Sequence, residues 1–336
     1  MKYALSGDIG GTKTLLELSH IDNGEVVKRV SHRYVSAEFT DFSLLIKDFL
    51  SRFPVDNSNC IAMCLGVAGP VDNWADYQIA DITNLPWCLN SQSLVDEFQL
   101  GSVSIINDFQ AVGYGINVLN DSEFVSLQQG SVIPKGNRLV IGAGTGLGVG
   151  LMIDCGGSYK VLATEGGHID YCPRSDIEFA FAQFLIERYG RSCWEFVVSG
   201  PGLVNLYQFL HQHRGGNAGC LAEVMSAADP SAIISERAIN ESDELAIEAL
   251  KMFVSNYGAV AGNFALSSLP KGGVFIAGGI APKILPYLKG PAFTQAFNSK
   301  GKMQSLCESF SISVVMNTEV GLIGPRAFAE KQAKLL

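Results

Sequence analysis

A chain of 336 residues, 47% of them hydrophobic and with positive mean hydropathy, is long enough for two domains with cores of their own and too apolar to be disordered. Its net charge of −9 excludes a broad basic face for nucleic acid or an anionic membrane, so any polyphosphate it holds is gripped by local backbone dipoles and metal. Eight cysteines without a CxxC pair are expected to be reduced and mostly buried, and neither the short apolar start nor the glycine-filled stretch 139–153 meets the requirements of a signal peptide or a membrane span, which makes the cytoplasm the expected location.

The first strand, 2–6, and an alternating strand, 15–21, flank Gly7-Asp8-Ile9-Gly10-Gly11-Thr12, and Asp22-Asn23-Gly24 signals the next turn. Glycines there let backbone N–H groups point inward at a phosphate, while Thr12 offers a hydroxyl and Asp8 a ligand for Mg²⁺, direct or through water. A tight turn with no ligand fits the same residues. The stretch is not a P-loop: Thr12 stands where the second Walker A glycine belongs, and a strand follows where a helix is required. A third strand, 25–35, and a helix, 41–53, capped by Thr40 or Asp41 and stopped by Pro54, lead to the continuous apolar strand 61–67. Residues 74–87 read as a polar and aromatic loop containing Thr83-Asn84, followed by a helix, 91–99.

Strand 103–106 delivers Asn107-Asp108-Phe109 at its carboxyl end, where open α/β sheets bind ligands, so Asp108 is a candidate base; it is equally a candidate cap for the helix that starts near Phe109. After a linker, 126–134, a second glycine turn, Gly142-Ala143-Gly144-Thr145-Gly146-Leu147-Gly148, lies between strands 139–141 and 149–153. Leu147 occupies the third glycine of the dinucleotide pattern, which excludes that reading. Thr164-Glu165-Gly166-Gly167-His168-Ile169-Asp170 sets an acid and an imidazole around two glycines, a polar loop suited to a polyhydroxylated ligand. Helices are expected at 176–189, from Ser192 through Glu195, at 204–213 after an interruption at 199–203, at 221–237 and at 244–266, where Gly258 and Gly262 mark close packing. Strand 273–277 runs into Gly278-Gly279, glycines against which a flat purine can lie; strand 312–316 and a helix, 321–336, finish the chain.

Taken in order, Asp8 to Thr12, Asn107-Asp108, Gly144 to Gly148, Glu165 to His168, Glu195 followed by Ser199-Gly200-Pro201-Gly202, and Ala277-Gly278-Gly279 resemble the bacterial-type glucokinases over nearly the whole length. The resemblance implies an α/β, two-domain hexokinase/actin-like (ribonuclease H-like) fold with a cleft between a small domain, 1–118, onto which the helix at 318–336 packs back, and a large domain, 119–317. It implies ATP with Mg²⁺ as donor system, glucose as acceptor, glucose 6-phosphate at the first step of glycolysis, and a homodimer. Asn107, Asp108, Glu165, His168 and Glu195 match the family's sugar-contacting positions, with Asp108 as base. Gly7, Asp8, Ile9, Gly10, Gly11, Thr12, Gly144, Thr145, Gly146, Gly278 and Gly279 are the expected nucleotide contacts, with Asp8 toward Mg²⁺. Lys13 departs from the pattern: it is common in the related ROK family, whose clustered zinc cysteines are missing here. The alternatives are a ROK-like kinase for fructose, mannose or an N-acetylated hexosamine, and a non-catalytic protein that senses sugar or ATP.

Overall fold

The computed structural model describes residues 2–53, 60–82 and 85–336. Pro54 and Thr83-Asn84 therefore lie outside the described residues. The chain divides into two compact units, Met1–Asn120 with Glu319–Leu336, and Asp121–Thr318.

The first unit runs β1 (Lys2–Ile9), β2 (Lys13–Asp22), β3 (Glu25–Val35), α1 (Phe42–Arg52), β4 (Cys60–Val67), β5 (Asp72–Asn73), β6 (Gln78–Asp81), β7 (Cys88–Asn90), α2 (Ser91–Phe98), β8 (Ser102–Asn107) and α3 (Asp108–Ile116), and takes in the C-terminal helix Val320–Leu335. Its five-stranded sheet has the order β3-β2-β1-β4-β8, antiparallel through the first three and parallel from β1 to β8. Asp41 caps α1 by accepting the Ser43 N–H, and the helix buries Phe42, Leu45, Ile46 and Phe49. Those side chains meet Leu5, Leu16, Leu18 and Leu65 in one core. The other core is built from small residues, Ala4, Ala62, Cys64, Ala111, Ala329 and Ala333, which bring α3 and the C-terminal helix close. A methyl group at Gly324 or Gly115 would overlap the backbone carbonyl of Ala111 or Val320 respectively, so both glycines are fixed by this approach.

Within the stretch read as a loop at 74–87, Gln78–Asp81 is instead a strand, the middle one of a three-stranded sheet, β5-β6-β7, whose outer strands flank the stretch. These strands have two to four residues, too short to show alternation, and they are held by partners elsewhere: the Trp87 indole donates to the Phe39 carbonyl at 3.0 Å and Gln78 Oε1 accepts the Ile105 N–H at 2.8 Å.

The second unit runs β9 (Phe124–Gln128), β10 (Arg138–Ala143), β11 (Leu147–Asp154), β12 (Tyr159–Thr164), α4 (Asp176–Tyr189), α5 (Gly200–Arg214), α6 (Ala218–Met225), α7 (Pro230–Ile239), α8 (Glu244–Ser268), β13 (Val274–Ala277), α9 (Leu285–Leu288), α10 (Pro291–Asn298), α11 (Gln304–Glu308) and β14 (Ile312–Val315), with α12 then naming the C-terminal helix. Its sheet order, β12-β11-β10-β13-β14-β9, repeats the first sheet and adds β9 at the edge. The paired glycine hairpins thus belong to a larger repeat, three antiparallel strands followed by two parallel ones.

Three expectations are corrected here. Residues 124–128, the last three of which fall in the stretch expected to be a linker, form a strand that pairs antiparallel with β14. Residues 199–203 do not interrupt a helix: Ser199 caps α5 by accepting the Gly202 N–H at 3.0 Å, and Pro201 occupies the first turn, where its missing donor costs nothing. The single helix expected at 221–237 is two, broken where Asp229 caps α7 ahead of Pro230. Gly258 and Gly262 do mark close packing, since added methyls would overlap the Phe293 and Phe297 carbonyls of α10. All eight cysteines are free, but only Cys60, Cys64, Cys193 and Cys307 are buried. Among the described residues no helix is long and apolar enough to cross a membrane.

Candidate active site

In the first unit, the turn Gly10-Gly11-Thr12 closes the β1–β2 hairpin beyond the Ile9–Thr14 pair, with the Gly10 N–H donating to the Lys13 carbonyl at 3.0 Å. Ser36 locks it from the end of β3. Its N–H donates to the Thr12 carbonyl (3.1 Å), its hydroxyl donates to the Gly10 carbonyl (2.8 Å), and it lies 3.0 Å from the buried Thr14 hydroxyl. Sequence reading missed Ser36, because a lone serine after a strand carries no signal of what it will meet. Gly7 and Ile9 lie within β1 rather than in the turn, Ile9 in the core and Gly7 packed against Leu16 and Leu65.

Asp8 stands in register with Leu15 of β2, which in turn pairs with Arg33 of β3. Its carboxylate faces the first turn of α12, where a methyl at Gly321 would sit 3.7 Å from Oδ2. Desolvation by the surrounding protein raises its carboxyl above the ordinary value and the Arg33 guanidinium opposes that rise. The side chain nevertheless keeps access to solvent, which limits the effect of desolvation. Among the described residues no three His, Cys, Asp or Glu side chains cluster as a metal cage.

At the β8–α3 junction the cap is Asn107, not Asp108. Asn107 Oδ1 accepts the Phe109 N–H at 2.8 Å, Gln110 Oε1 accepts the Asn107 N–H at 3.1 Å, and the Asn107 amide donates to the Gly69 carbonyl at 3.0 Å. Asp108 is left at the first helical position, half-buried, with its Oδ1 accepting the Phe109 N–H at 2.8 Å.

In the second unit, Gly144-Thr145-Gly146 closes the β10–β11 hairpin, the Gly144 N–H donating to the Gly146 carbonyl at 2.8 Å and the Gly144 carbonyl accepting the Gly200 N–H at the start of α5, also at 2.8 Å. Glu195 backs this turn. Its Oε2 accepts the Leu147 N–H at 2.9 Å, its Oε1 lies 3.9 Å from His168 Nδ1, and a methyl at Gly146 would overlap Oε2. The Ser199 hydroxyl donates to the Glu195 carbonyl at 2.6 Å. The 165–168 loop passes so near β11 that a methyl at Gly167 would overlap the Leu147 carbonyl. Glu165 and His168 are exposed, and the His168 N–H donates to the Glu165 carbonyl at 3.0 Å. Arg191 steadies the loop through the His168 carbonyl and Asp170 Oδ1.

Gly278 and Gly279 follow β13, the parallel neighbour of β10, so their turn starts beside the 144–146 turn. Gly278 has φ +85°, and a methyl there would overlap the Ala143 carbonyl; Gly279 borders open space. Ser231, also unread in the sequence, lies close to Gly200, and its hydroxyl donates to Asp229 Oδ1 at 2.7 Å, a bond that holds the Asp229 carboxyl below its ordinary value. The second unit therefore joins Glu195 and His168 to one glycine turn and sets a second glycine turn beside it.

A family model described as Glucokinase matches residues 5–332. A glucokinase of Nostoc sp. is 40% identical over 339 residues, covering 96% of this chain and 98% of that protein. Among solved structures, a glucokinase from an Antarctic psychrotroph is 29% identical with a TM-score of 0.80, over 98% of this chain and 99% of that one. A ROK family glucokinase from Streptomyces griseus, in complex with glucose and AMPPNP, shares the fold at 20% identity and a TM-score of 0.65, over 98% and 99% of the two chains. With the match running through both repeats and every glycine turn described above, the chain belongs to the glucokinase family.

Proposed function

We infer that this chain transfers the γ-phosphoryl group of ATP to the primary hydroxyl of glucose, releasing ADP and glucose 6-phosphate. The observation that carries the reading is Asp108: Asn107 does the capping of α3, so the Asp108 carboxylate is held at a strand's carboxyl end by its bond to the Phe109 N–H and is not needed to close the helix. There it takes the hydroxyl proton as the sugar oxygen attacks phosphorus in line. Glu165, His168 and Glu195 take ring hydroxyls, with the Leu147 N–H fixing the orientation of Glu195. Backbone N–H groups of the Gly10–Thr12 and Gly144–Gly146 turns hold phosphates, and Gly278-Gly279 leaves space for a base.

Mg²⁺ fits the residues present, because Asp8 is one solvent-reaching carboxylate beside a glycine turn and Mg²⁺ takes one or two carboxylates together with phosphate oxygens and water. When bound it neutralises charge on the transferring phosphates. The same reading assigns the reaction to the entry of glucose into glycolysis in the cytoplasm, and the enzyme to a homodimer that sedimentation velocity would reveal.

Lys13, exposed at the first turn and shared with ROK kinases, favours a second reading in which another hexose is the acceptor. A coupled assay of ADP release with glucose, fructose, mannose and N-acetylglucosamine decides between them: kcat/KM for glucose is expected to exceed the others at least about tenfold. ADP release that ignores every sugar would defeat both readings. The Gly278→Ala variant is expected to raise KM for ATP about tenfold or more and to leave glucose binding unchanged, since its methyl demands both a disfavoured φ and a shift of the Ala143 peptide. Steady-state kinetics with each substrate varied, and calorimetry with glucose alone, check it.

A further inference from the structure

The two glycine turns of the second unit leave adjacent parallel strands, and a single buried hydroxyl sits where those strands stop pairing. The last paired residues are Gly142 and Ala277. Beyond them, Tyr257 of α8 inserts its phenol from below. Its oxygen accepts the Ala143 N–H at 3.1 Å and lies 3.2 Å from the Ile141 carbonyl and 3.5 Å from the Ala277 carbonyl, so its one proton serves these two acceptors. The side chain is fully buried, held edge-on by Phe253 and Phe293. Ala143 is the residue before Gly144, its carbonyl limits the space at Gly278 and accepts the Ile280 N–H at 3.4 Å, and Ala277 is the residue before Gly278. One phenol therefore joins β10 and β13 at the peptides from which both turns depart.

We propose that Tyr257 is a positioning residue for the nucleotide: without touching it, its hydroxyl sets the spacing of the Gly144–Gly146 and Gly278-Gly279 turns. The proposal rests on the reading of these turns as a nucleotide site. Tyr257→Phe keeps the ring and its packing but leaves the Ala143 N–H buried without an acceptor, a loss the strands relieve by shifting. KM for ATP is expected to rise about tenfold, with the dissociation constant for glucose, measured without nucleotide, within twofold of the parent. Tyr287→Phe serves as comparison, because it too removes a phenol-to-carbonyl bond, to Ala238, away from both turns, and its KM for ATP is expected to stay within twofold.

A generally loosened unit would lower the melting temperature of both variants and raise KM for both substrates or neither, and that outcome overturns the proposal. So does an unchanged KM for ATP in a folded Tyr257→Phe enzyme. If the parent itself shows no saturable ATP dependence, it is the nucleotide reading that fails instead. Should Tyr257→Phe not fold, hydrogen exchange on the parent decides: AMPPNP is expected to slow exchange of the Ala143 amide at least about fivefold while glucose alone does not, and equal exchange with and without nucleotide overturns the proposal.

Discussion

Asp108→Ala is expected to lower kcat about 10²-fold or more while the dissociation constant for glucose changes less than about threefold. The split follows from the local structure. The helix that carries Asp108 is closed by the reciprocal bonds of Asn107 and Gln110, which the substitution leaves in place, and Asn107 stays tied to the Gly69 carbonyl. The substitution removes one carboxylate and with it a bond to the Phe109 N–H, a donor that Asn107 Oδ1 also accepts at 2.8 Å. The fold is therefore little disturbed and binding survives, but the proton leaving the attacking hydroxyl has no acceptor. Asp108→Asn sharpens the comparison: it preserves shape and the option of accepting the Phe109 N–H, yet its amide does not accept a proton at neutral pH, so it is expected to match the alanine variant in kcat. Single-turnover measurements with saturating ATP and glucose separate this loss from slow product release. Near-parental turnover in either variant would remove Asp108 from the role of base.

The features legible in the sequence are those whose cause is local. Both glycine turns are readable because strand-like runs bound them on each side, and α1 because Asp41 and a periodic apolar face announce a helix. Features that depend on distant partners were not. Strand β9 is a strand because β14, nearly two hundred residues later, pairs with it, and its own half-polar sequence fits a linker equally well. Strands β5 to β7 are too short for periodicity. At the site, Asp108 is singled out by its place at a strand's carboxyl end, and Glu195 only by the resemblance to the glucokinases. The cap expected at Asp108 belongs instead to Asn107, because the Gln110 side chain, which accepts the Asn107 N–H, completes a capping box there. Ser36 and Tyr257 escaped for the reason that hid β9: what they do is defined by backbone atoms that only the folded chain brings to them.

Glu195→Gln is expected to change the kinetics of both substrates together, raising KM for glucose about 10- to 100-fold and KM for ATP by a smaller factor, about threefold to tenfold. One carboxylate has two duties. Its Oε2 accepts the Leu147 N–H at 2.9 Å, immediately after the Gly144–Gly146 turn, while Oε1, 3.9 Å from His168 Nδ1, is turned toward the Glu165–His168 loop proposed to take the sugar hydroxyls. Glutamine supplies a single acceptor oxygen. If that oxygen keeps the Leu147 N–H, an NH₂ group replaces the acceptor offered to a sugar hydroxyl; if it turns to the sugar, two donors face each other at Leu147 and the turn shifts. Either orientation leaves one polar group unmatched, at about 1–3 kcal/mol, and the two substrates share the loss because the rotamers interconvert. Glu165→Gln is the contrasting variant: its loop is steadied by Arg191 through His168 and Asp170, so it is expected to raise KM for glucose and leave KM for ATP within twofold. Initial rates over a full grid of both concentrations give the four constants for each variant. A Glu195→Gln enzyme whose KM for ATP equals the parent's would show that the Leu147 bond merely packs the turn, and that glucose binding and the Gly144–Gly146 turn are not linked through this carboxylate.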